Sequence, residues 1–216
     1  AYTGALKAAG QPDYATVNPP DAGDGFEGTS VGYYNFDGGD DYIKGAGTHP
    51  VSAYPYTHGA WGYCESAGNE VLVSYGSSTD NLNNYGVASR SSAACITAWN
   101  APTWTEDCGT TTTTDGWHHY AGDYASNTSK KLYLDGVNEA TMTETVTFPD
   151  DGGNNSNLVV GVYNGSDLNA DPFDGLIDEA FLYGGSLTST QINDIMDNGL
   201  VGGASPPTTA RRIIML

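Results

Sequence analysis

The chain has 216 residues, with 26 acidic and 7 basic side chains and a formal net charge of −19. A chain this acidic lacks the basic surface that binding to nucleic-acid phosphates requires, and an anionic membrane surface would repel it. No apolar run approaches the ~18 residues of a membrane-spanning helix. Because 38% of the residues are hydrophobic and 11% aromatic, we expect one folded acidic domain that binds neither nucleic acid nor membrane.

The cysteines and the first residues of the chain are the features that bear on its cellular compartment. Cys64, Cys95 and Cys108 are an odd number without CxxC spacing, so they indicate no zinc site. A Cys95–Cys108 bridge and three buried free thiols are both open interpretations. Ala1 is not followed by a basic and then apolar signal region; this fits removal of an initiator methionine, and equally a signal peptide already cleaved.

Most of the chain has the pattern of a β-sandwich or barrel. Residues 1–32 show no stable period, and the Pro, Gly and Asp residues of Pro12–Gly28 predict an extended arm. From Tyr33 onward, short strand patterns alternate with clusters of turn residues. In chain order the predicted strands lie around Tyr34–Phe36 and Tyr42–Ile43, then at Tyr56–Cys64, Glu70–Tyr75, Tyr85–Ser89, Ala94–Trp99, Trp117–Tyr124, Leu132–Leu134, from Val137, at Leu158–Val162 and at Leu176–Tyr183.

The strongest local pattern is a two-residue turn. Leu132–Leu134 runs into Asp135 and Gly136 and continues through Val137. An Asp-Gly pair supplies the two positive φ angles of a type I′ turn, so this segment is predicted to be a β-hairpin.

One short helix is predicted near the C-terminus. Thr188 and Gln191 have the spacing of a capping box, and Gly199 is placed to end the helix. The residues at positions i, i+3 and i+4 form an apolar stripe that is expected to pack on the sandwich. This stripe consists of Ile192, Ile195 and Met196.

Several of these segments resemble the laminin-G-like group of the concanavalin A-like lectin/glucanase jelly rolls. The resemblance covers about residues 33–200 and implies two antiparallel sheets, with residues 1–32 as an N-terminal arm and residues 201–216 as a Pro-containing linker and tail. Trp99–Thr114 departs from the family pattern and is interpreted as an insert. The matching segments are Phe36–Ile43, the strand around Trp61, Asp115–His119, Lys131–Gly136, Phe173–Glu179 and Leu187–Ile192 with Gly199.

The fold does not decide the function, because this jelly roll hosts lectins, hydrolases and adhesive modules. Glycoside hydrolysis needs two carboxylates held across a cleft, and the Glu-x-Asp-x-x-Glu strand of the family's hydrolases is absent. Asp178 and Glu179 are adjacent and are expected to point to opposite faces of a strand. No catalytic residue is therefore predicted, and a hydrolase ranks third among the possible functions.

Two further clusters of metal-binding residue types are interpreted as structural. His118 and His119 are adjacent in a strand and cannot chelate one ion together. Acidic residues could offer calcium its oxygen ligands, but a solvated acidic turn is the favoured interpretation. No cofactor is therefore predicted, with calcium as the alternative. The calcium candidates are Asp37, Asp40 and Asp41, with Asp171 and Asp174 as a second possible group.

Aromatic side chains are the remaining sign of a lectin, since sugar rings stack on exposed rings. Trp99 and Trp104 lie in the interpreted insert, and Tyr75 and Tyr85 bracket a Gly- and Asn-rich loop. These four residues are candidates for a glycan-binding rim. Packing under the loops or against a neighbouring protein is an equally favoured interpretation.

The C-terminal tail indicates an assembly. An exposed apolar end after two basic residues would promote aggregation unless it docks. We expect it to add a strand to a neighbouring subunit or to fill a groove there. The tail consists of Arg211, Arg212, Ile213, Ile214, Met215 and Leu216.

Domains of this kind with such a tail resemble accessory virion proteins of bacteriophages. The resemblance implies a non-enzymatic capsid decoration (cement) protein on the outer capsid surface. Its partners would be copies of itself or a capsid protein. The alternative is a secreted carbohydrate-binding domain.

Overall fold

The computed structural model describes residues 13–15, 33–44, 51–77, 83–100, 102–148, 156–163, 170–202 and 211–215. Fourteen strands and one helix lie within these ranges. In chain order they are β1 (Asp13–Ala15), β2 (Tyr33–Asp37), β3 (Ile43–Lys44), β4 (Tyr56–Cys64), β5 (Asn69–Ser77), β6 (Asn83–Arg90), β7 (Ala93–Asn100), β8 (Thr103–Thr112), β9 (Trp117–Ser126), β10 (Ser129–Leu134), β11 (Val137–Met142), β12 (Ser156–Val160), β13 (Asp174–Gly184), α1 (Ser189–Gly202) and β14 (Arg211–Met215).

The strands form two sheets, as the sequence predicted for a jelly-roll sandwich. One sheet has the order β1-β2-β13-β4-β9-β10-β11, with β14 paired to β13, and so contains eight strands. The other has the order β3-β12-β5-β6-β7-β8. Every described pair is antiparallel, and the chain passes between the sheets several times, as in an all-β sandwich with one short helix.

The first predicted turn passes the chain from one sheet to the other. β2 pairs with β13 in the eight-stranded sheet, whereas β3 pairs with β12 in the six-stranded sheet. The turn at Asp37–Asp40 therefore lies at the rim of the sandwich.

Tyrosines fill much of the core between the two sheets. Tyr56 and Tyr124 are fully buried and stack with ring centroids 4.7 Å apart. Hydroxyl groups of buried tyrosines donate to main-chain carbonyls: Tyr124 to Gly86 at 3.0 Å and Tyr75 to Val51 at 2.6 Å. The high tyrosine content thus supplies core volume.

The helix packs on the outer face of the eight-stranded sheet. Its capping box is confirmed: the Gln191 N–H donates to Thr188 Oγ1 at 3.3 Å, and the Thr188 N–H donates to Gln191 Oε1 at 3.0 Å. Ile192 is buried against Phe181 and Tyr183. The helical conformation is broken at Gly199, whose φ is 68°. One more short helical stretch follows, so the predicted stop is a kink within α1.

The interpretation of Trp99–Thr114 as an insert outside the strands is wrong. β7 and β8 form a regular antiparallel hairpin that ends the six-stranded sheet. The Thr-rich segment has the β-branched composition that favours an extended strand, and Cys95 and Cys108 are bonded as a disulfide across the hairpin. Of the two interpretations of the cysteines, the structure shows the bridge, with Cys64 as a buried free thiol.

The structure places the tail strand in a sheet of its own chain, and its expected docking on a neighbouring subunit, by an added strand or in a groove, stays a prediction. β14 pairs with β13 of its own chain, with Met215 opposite Phe181 and Ile214 opposite Leu182. β2 occupies only the first part of this side of β13, up to Ile177. The tail strand therefore fills an edge that β2 leaves open. Leu216 lies outside the described residues.

The predicted boundaries at residues 32 and 201 fall largely outside the described ranges and stay predictions. Within those ranges the arm includes β1, which pairs with β2. No helix in the described part of the chain is long and apolar enough to span a membrane.

Candidate functional site

Two tryptophans lie side by side on the outer face of the six-stranded sheet. Trp99 and Trp104 are directly opposite each other in the β7–β8 hairpin, and their ring centroids are 6.4 Å apart. Successive residues of a strand point to opposite faces, so Trp99 points outward where Ala98 belongs to the inner core. Trp104 is 37% exposed. The hairpin thus presents an aromatic surface to solvent.

Arg90, at the end of β6, lies beside this surface. Its guanidinium carbon is 5.3 Å from the centre of the Trp104 ring and 5.8 Å from that of Tyr163, distances typical of cation–π contacts. Nη1 is 2.7 Å from Asp171 Oδ2, and Nε is 3.5 Å from Glu106 Oε2. Burial alone lowers the pKa of Arg90, but Tyr163 and Asp171 outweigh that effect and raise it.

Tyr163 follows β12 and Asp171 precedes β13, and both lie beside Arg90 on this face of the sheet. The Val71 N–H donates to the Asp171 carbonyl at 3.0 Å, and the Tyr163 N–H donates to the Ala170 carbonyl at 3.1 Å. Asp171 has a φ of 54°, a conformation that aspartate tolerates better than most residues. The Tyr163 hydroxyl also accepts a hydrogen bond from Arg90 Nη2 at 3.2 Å. The backbone therefore holds Asp171 in place beside Arg90.

These side chains surround an open depression of about 250 Å³. It is smaller than the ~300–1,000 Å³ of enclosed small-molecule pockets, as a shallow surface site would be. Trp104 Nε1 donates to Glu106 Oε2 at 3.2 Å, which fixes the orientation of the indole ring. An apolar ring face therefore stands beside carboxylates, an amide and a guanidinium. The lining residues are Asn69, Arg90, Trp104, Glu106 and Asp171.

We refer to these five residues together with Trp99 as the tryptophan platform. The disulfide between Cys95 and Cys108 joins the two strands that carry its tryptophans. Cys108 lies two residues beyond Glu106 and points to the same face. The platform is therefore built on a cross-linked hairpin at the edge of the sheet, which limits its freedom to deform.

The structure does not place the two predicted tyrosines on this surface. Tyr75 and Tyr85 are both 0% exposed and are directly opposite each other in β5 and β6. Their strand positions point inward, so neither ring is available to a ligand. Residues 78–82 of the loop between them lie outside the described residues. The predicted rim is therefore wrong for the tyrosines, while both tryptophans point outward.

The predicted acidic group at the rim of the sandwich is brought together by the fold. Asp37, Asp40 and Asp41 have carboxylate oxygens within 4.8 Å of one another. The Gly39 N–H donates to Asp37 Oδ1 at 2.9 Å, and the Asp37 N–H donates to Asp41 Oδ2 at 3.3 Å. These bonds account for the turn, which is the favoured interpretation, and calcium binding there stays the alternative.

The two adjacent histidines occupy different environments. His118 Nδ1 is 2.7 Å from Asp135 Oδ2, and Nε2 is 2.9 Å from Asp115 Oδ1. Hydrogen bonding to Asp135 raises the pKa of His118 against the effect of burial, and Asp115 adds to it. His119 is buried in a ring stack with Phe181, and burial lowers its pKa to about 4. His118 therefore lies between two carboxylates, whereas His119 lies buried among aromatic rings.

The adjacent acidic residues of β13, Asp178 and Glu179, lie at an irregularity of the main chain. The strand register shifts between Asp178 and Phe181, and Glu179 has a φ of 48°. The Glu179 N–H donates to Asp178 Oδ1 at 2.8 Å. This pair lies on the sheet opposite the platform and stabilises a local bulge.

Sequence reasoning missed Arg90 and Glu106. Arg90 is the one basic residue between Lys44 and Lys130 in a chain with 26 acids, which could have marked it as the centre of an ion-pair group. Asp171 was considered as a calcium ligand because of its carboxylate, and nothing in the local sequence shows that it pairs with Arg90. Glu106 could have been found from its alternation with Trp104 along an extended strand.

A family model described as the concanavalin A-like lectin/glucanases superfamily matches residues 37–193. A comparison with curated proteins found no significant match.

Solved structures with the same fold include two bacterial domains and an animal protein. Domain 4 of an extracellular arabinanase of Geobacillus stearothermophilus, in complex with arabinotriose, has a TM-score of 0.60 at 21% identity, covering 87% of this chain and 82% of that one. A Ruminococcus gnavus sialidase module bound to α2,3-sialyllactose has a TM-score of 0.56 at 15% identity, covering 67% and 84%. A pentraxin of Limulus polyphemus has a TM-score of 0.62 at 15% identity, covering 84% and 89%.

Proposed function

The chain belongs to the concanavalin A-like lectin/glucanases superfamily, and on that premise we propose that it is a non-catalytic carbohydrate-binding domain whose site is the tryptophan platform. The observation that carries the proposal is the exposed ring of Trp104, held beside Arg90, Glu106 and Asp171. A sugar ring offers an apolar face to an aromatic side chain and hydroxyl groups to polar neighbours. The platform supplies both within one depression.

Two further observations support a role outside the cytoplasm. The Cys95–Cys108 disulfide is a bond that persists in oxidising compartments and is rare in the cytosol. The similar domains from the arabinanase and the sialidase were solved with oligosaccharides bound. These points favour the secreted alternative over the virion interpretation.

A capsid decoration role was predicted from the tail, which was expected to need a neighbouring subunit. β14 pairs within its own chain, so the tail no longer calls for that partner. The decoration role and the predicted homo-oligomer or capsid partner stay predictions without a contact in the described residues that favours them.

The test is binding of the purified protein to an oligosaccharide array, followed by calorimetric titration of the best ligands. We expect Trp104→Ala to weaken binding at least about tenfold, equivalent to ~1.4 kcal/mol, because the ring face is lost. Trp99→Ala should have a smaller effect, since Trp99 is less exposed than Trp104. The matched control is Trp117→Ala, which removes a half-buried tryptophan of the opposite sheet.

Thermal melting of each variant separates loss of the site from loss of the fold. Unchanged affinity of a folded Trp104→Ala protein, or no binding to any array member, would contradict the proposal. Incubation with each bound oligosaccharide tests the hydrolase alternative. Cleavage that Glu106→Gln abolishes would replace binding with catalysis as the function of the platform.

A further inference from the structure

We infer that the tryptophan platform takes uncharged saccharides and rejects those that carry a carboxylate, such as sialic or uronic acids. The inference rests on the proposed function and adds the chemical class of the ligand. The similar domains leave this question open, since one was solved with the neutral arabinotriose and another with the acidic sialyllactose. The side chains of the platform distinguish the two classes.

Arg90 is the cation of the platform, and its contacts lie within the protein. Its side chain is 9% exposed. One guanidinium nitrogen is paired with Asp171, one donates to the Tyr163 hydroxyl, and Nε faces Glu106. The guanidinium lies within 6 Å of the ring centroids of Trp104 and Tyr163. A ligand carboxylate would have to displace Asp171 to form the paired hydrogen bonds that arginine makes with carboxylates.

The charges that solvent reaches on the platform are negative. The side chains of Glu106 and Asp171 are 39% and 36% exposed, four times as much as that of Arg90. Two carboxylates against one guanidinium leave the lining residues with a net negative charge. An acidic saccharide would bring a third carboxylate to this surface, and like charges at close range repel.

Neutral saccharides fit the same groups. Ionised carboxylates only accept hydrogen bonds, and sugar hydroxyls can donate to them. Such bonds to a charged acceptor are stronger than neutral ones. Asn69 adds an amide that can both donate and accept at the depression. The ring face of Trp104 requires no charge on the ligand.

The whole molecule favours the same selection. Its net charge of −19 lowers the local concentration of anionic ligands at low ionic strength. Because screening weakens this long-range effect, the discrimination that remains at high salt measures the contribution of the platform.

The experiment uses an array of matched pairs, in which each neutral oligosaccharide stands beside its sialylated or uronic-acid form; lactose and 3′-sialyllactose are one such pair. We expect the neutral member of each bound pair to bind at least about tenfold more tightly. The ratio should persist at roughly 0.5 M salt, where the Debye length is about 4 Å.

Two variants test the physical cause. Asp171→Asn removes one negative charge and the ion-pair partner of Arg90, so acidic members should gain at least fivefold relative to their neutral partners. Glu106→Gln removes the other negative charge and should shift the ratio in the same direction. Neutral ligands should still depend on Trp104 in both backgrounds.

The outcomes separate this inference from the function on which it rests. Binding of acidic members as tightly as their neutral partners, dependent on Trp104, would overturn the selectivity and leave the carbohydrate-binding function standing. Absence of any Trp104-dependent binding to either class would overturn the proposed function, and the inference with it.

Discussion

His58 in β4 is an ionisable residue in the interior, and the described residues provide it with no counter-charge. It is fully buried, and neither ring nitrogen has a hydrogen-bond partner among the described residues. Its ring lies 5.0 Å from that of Tyr124 and 6.0 Å from that of Tyr56. Burial lowers its pKa from 6.5 to about 3, so the folded protein keeps this histidine neutral over most of the acidic range.

This environment predicts a specific acid sensitivity. Below pH 6.5 the unfolded chain binds a proton at His58 that the folded chain does not, so the free energy of unfolding falls as the pH falls towards about 3. His58→Phe removes this effect. Between about pH 7.5 and about pH 4.5, the variant should gain about 3 kcal/mol relative to the native protein. Urea unfolding at several pH values measures the difference.

His118 provides a control of opposite sign. Its pKa is raised in the folded state, so its stabilisation is present below pH 6.5 and is lost as the pH rises through the folded value. His118→Asn should therefore lose stability most at acidic pH. If the curves of His58→Phe and the native protein run parallel, His58 does not have the predicted influence.

The aromatic residues predicted to bind glycans illustrate what alternation along a strand can predict. Trp104 was predicted as a glycan-binding residue because it was placed in an insert; it lies instead in β8 and is exposed. Tyr75 and Tyr85 have the same aromatic character, but they point into a core that tyrosines fill. A period of two indicates that a strand has two faces; it does not tell which face is buried when both carry aromatic residues.

At the scale of elements, turns and caps were predicted well because a few neighbouring residues determine them. Asp135 and Gly136 have φ values of 49° and 74°, and Leu134 pairs with Val137 across the turn. Thr188 and Gln191 form the reciprocal bonds of the capping box. These features depend on local geometry, which the rest of the fold does not change.

The hairpin turn gives a test at this scale. Gly136→Ala should lower the free energy of unfolding by roughly 1–2 kcal/mol, because a Cβ is unfavourable at positive φ. The added methyl group also meets the exposed side chain of Asn193 in α1, which can rotate away. Urea denaturation of Gly136→Ala, Asn193→Ala and the double variant separates these effects. If the loss disappears in the Asn193→Ala background, the contact with the helix causes it and the prediction is wrong.

At the scale of the whole molecule, β14 pairs with the part of β13 that β2 leaves unpaired. Deleting residues 205–216 removes this strand and leaves the second half of β13 as an edge. We expect a loss of about 2 kcal/mol, or roughly 4–8 °C in Tm for a chain of this size. The oligomeric mass should be unchanged, because the strand pairs within its own chain.

Calorimetry and light scattering test this prediction together. The control is Arg211→Ala with Arg212→Ala, which keeps the length of the strand and removes its two charges. A fall in mass with unchanged Tm would show that the tail acts between subunits and would support the predicted assembly instead.

The sequence was sufficient for the sandwich, the helix and the hairpin, since each is encoded by a hydrophobic period or by the chemistry of adjacent residues. The sequence did not indicate which strand pairs with β14. It also did not indicate which face of β5 and β6 is buried in the core. It also gave no means of placing Asp171 beside Arg90, since the two residues are distant along the chain and belong to different elements. Contacts of this kind join segments distant along the chain, and their free energy depends on packing that exists only once both sheets have formed.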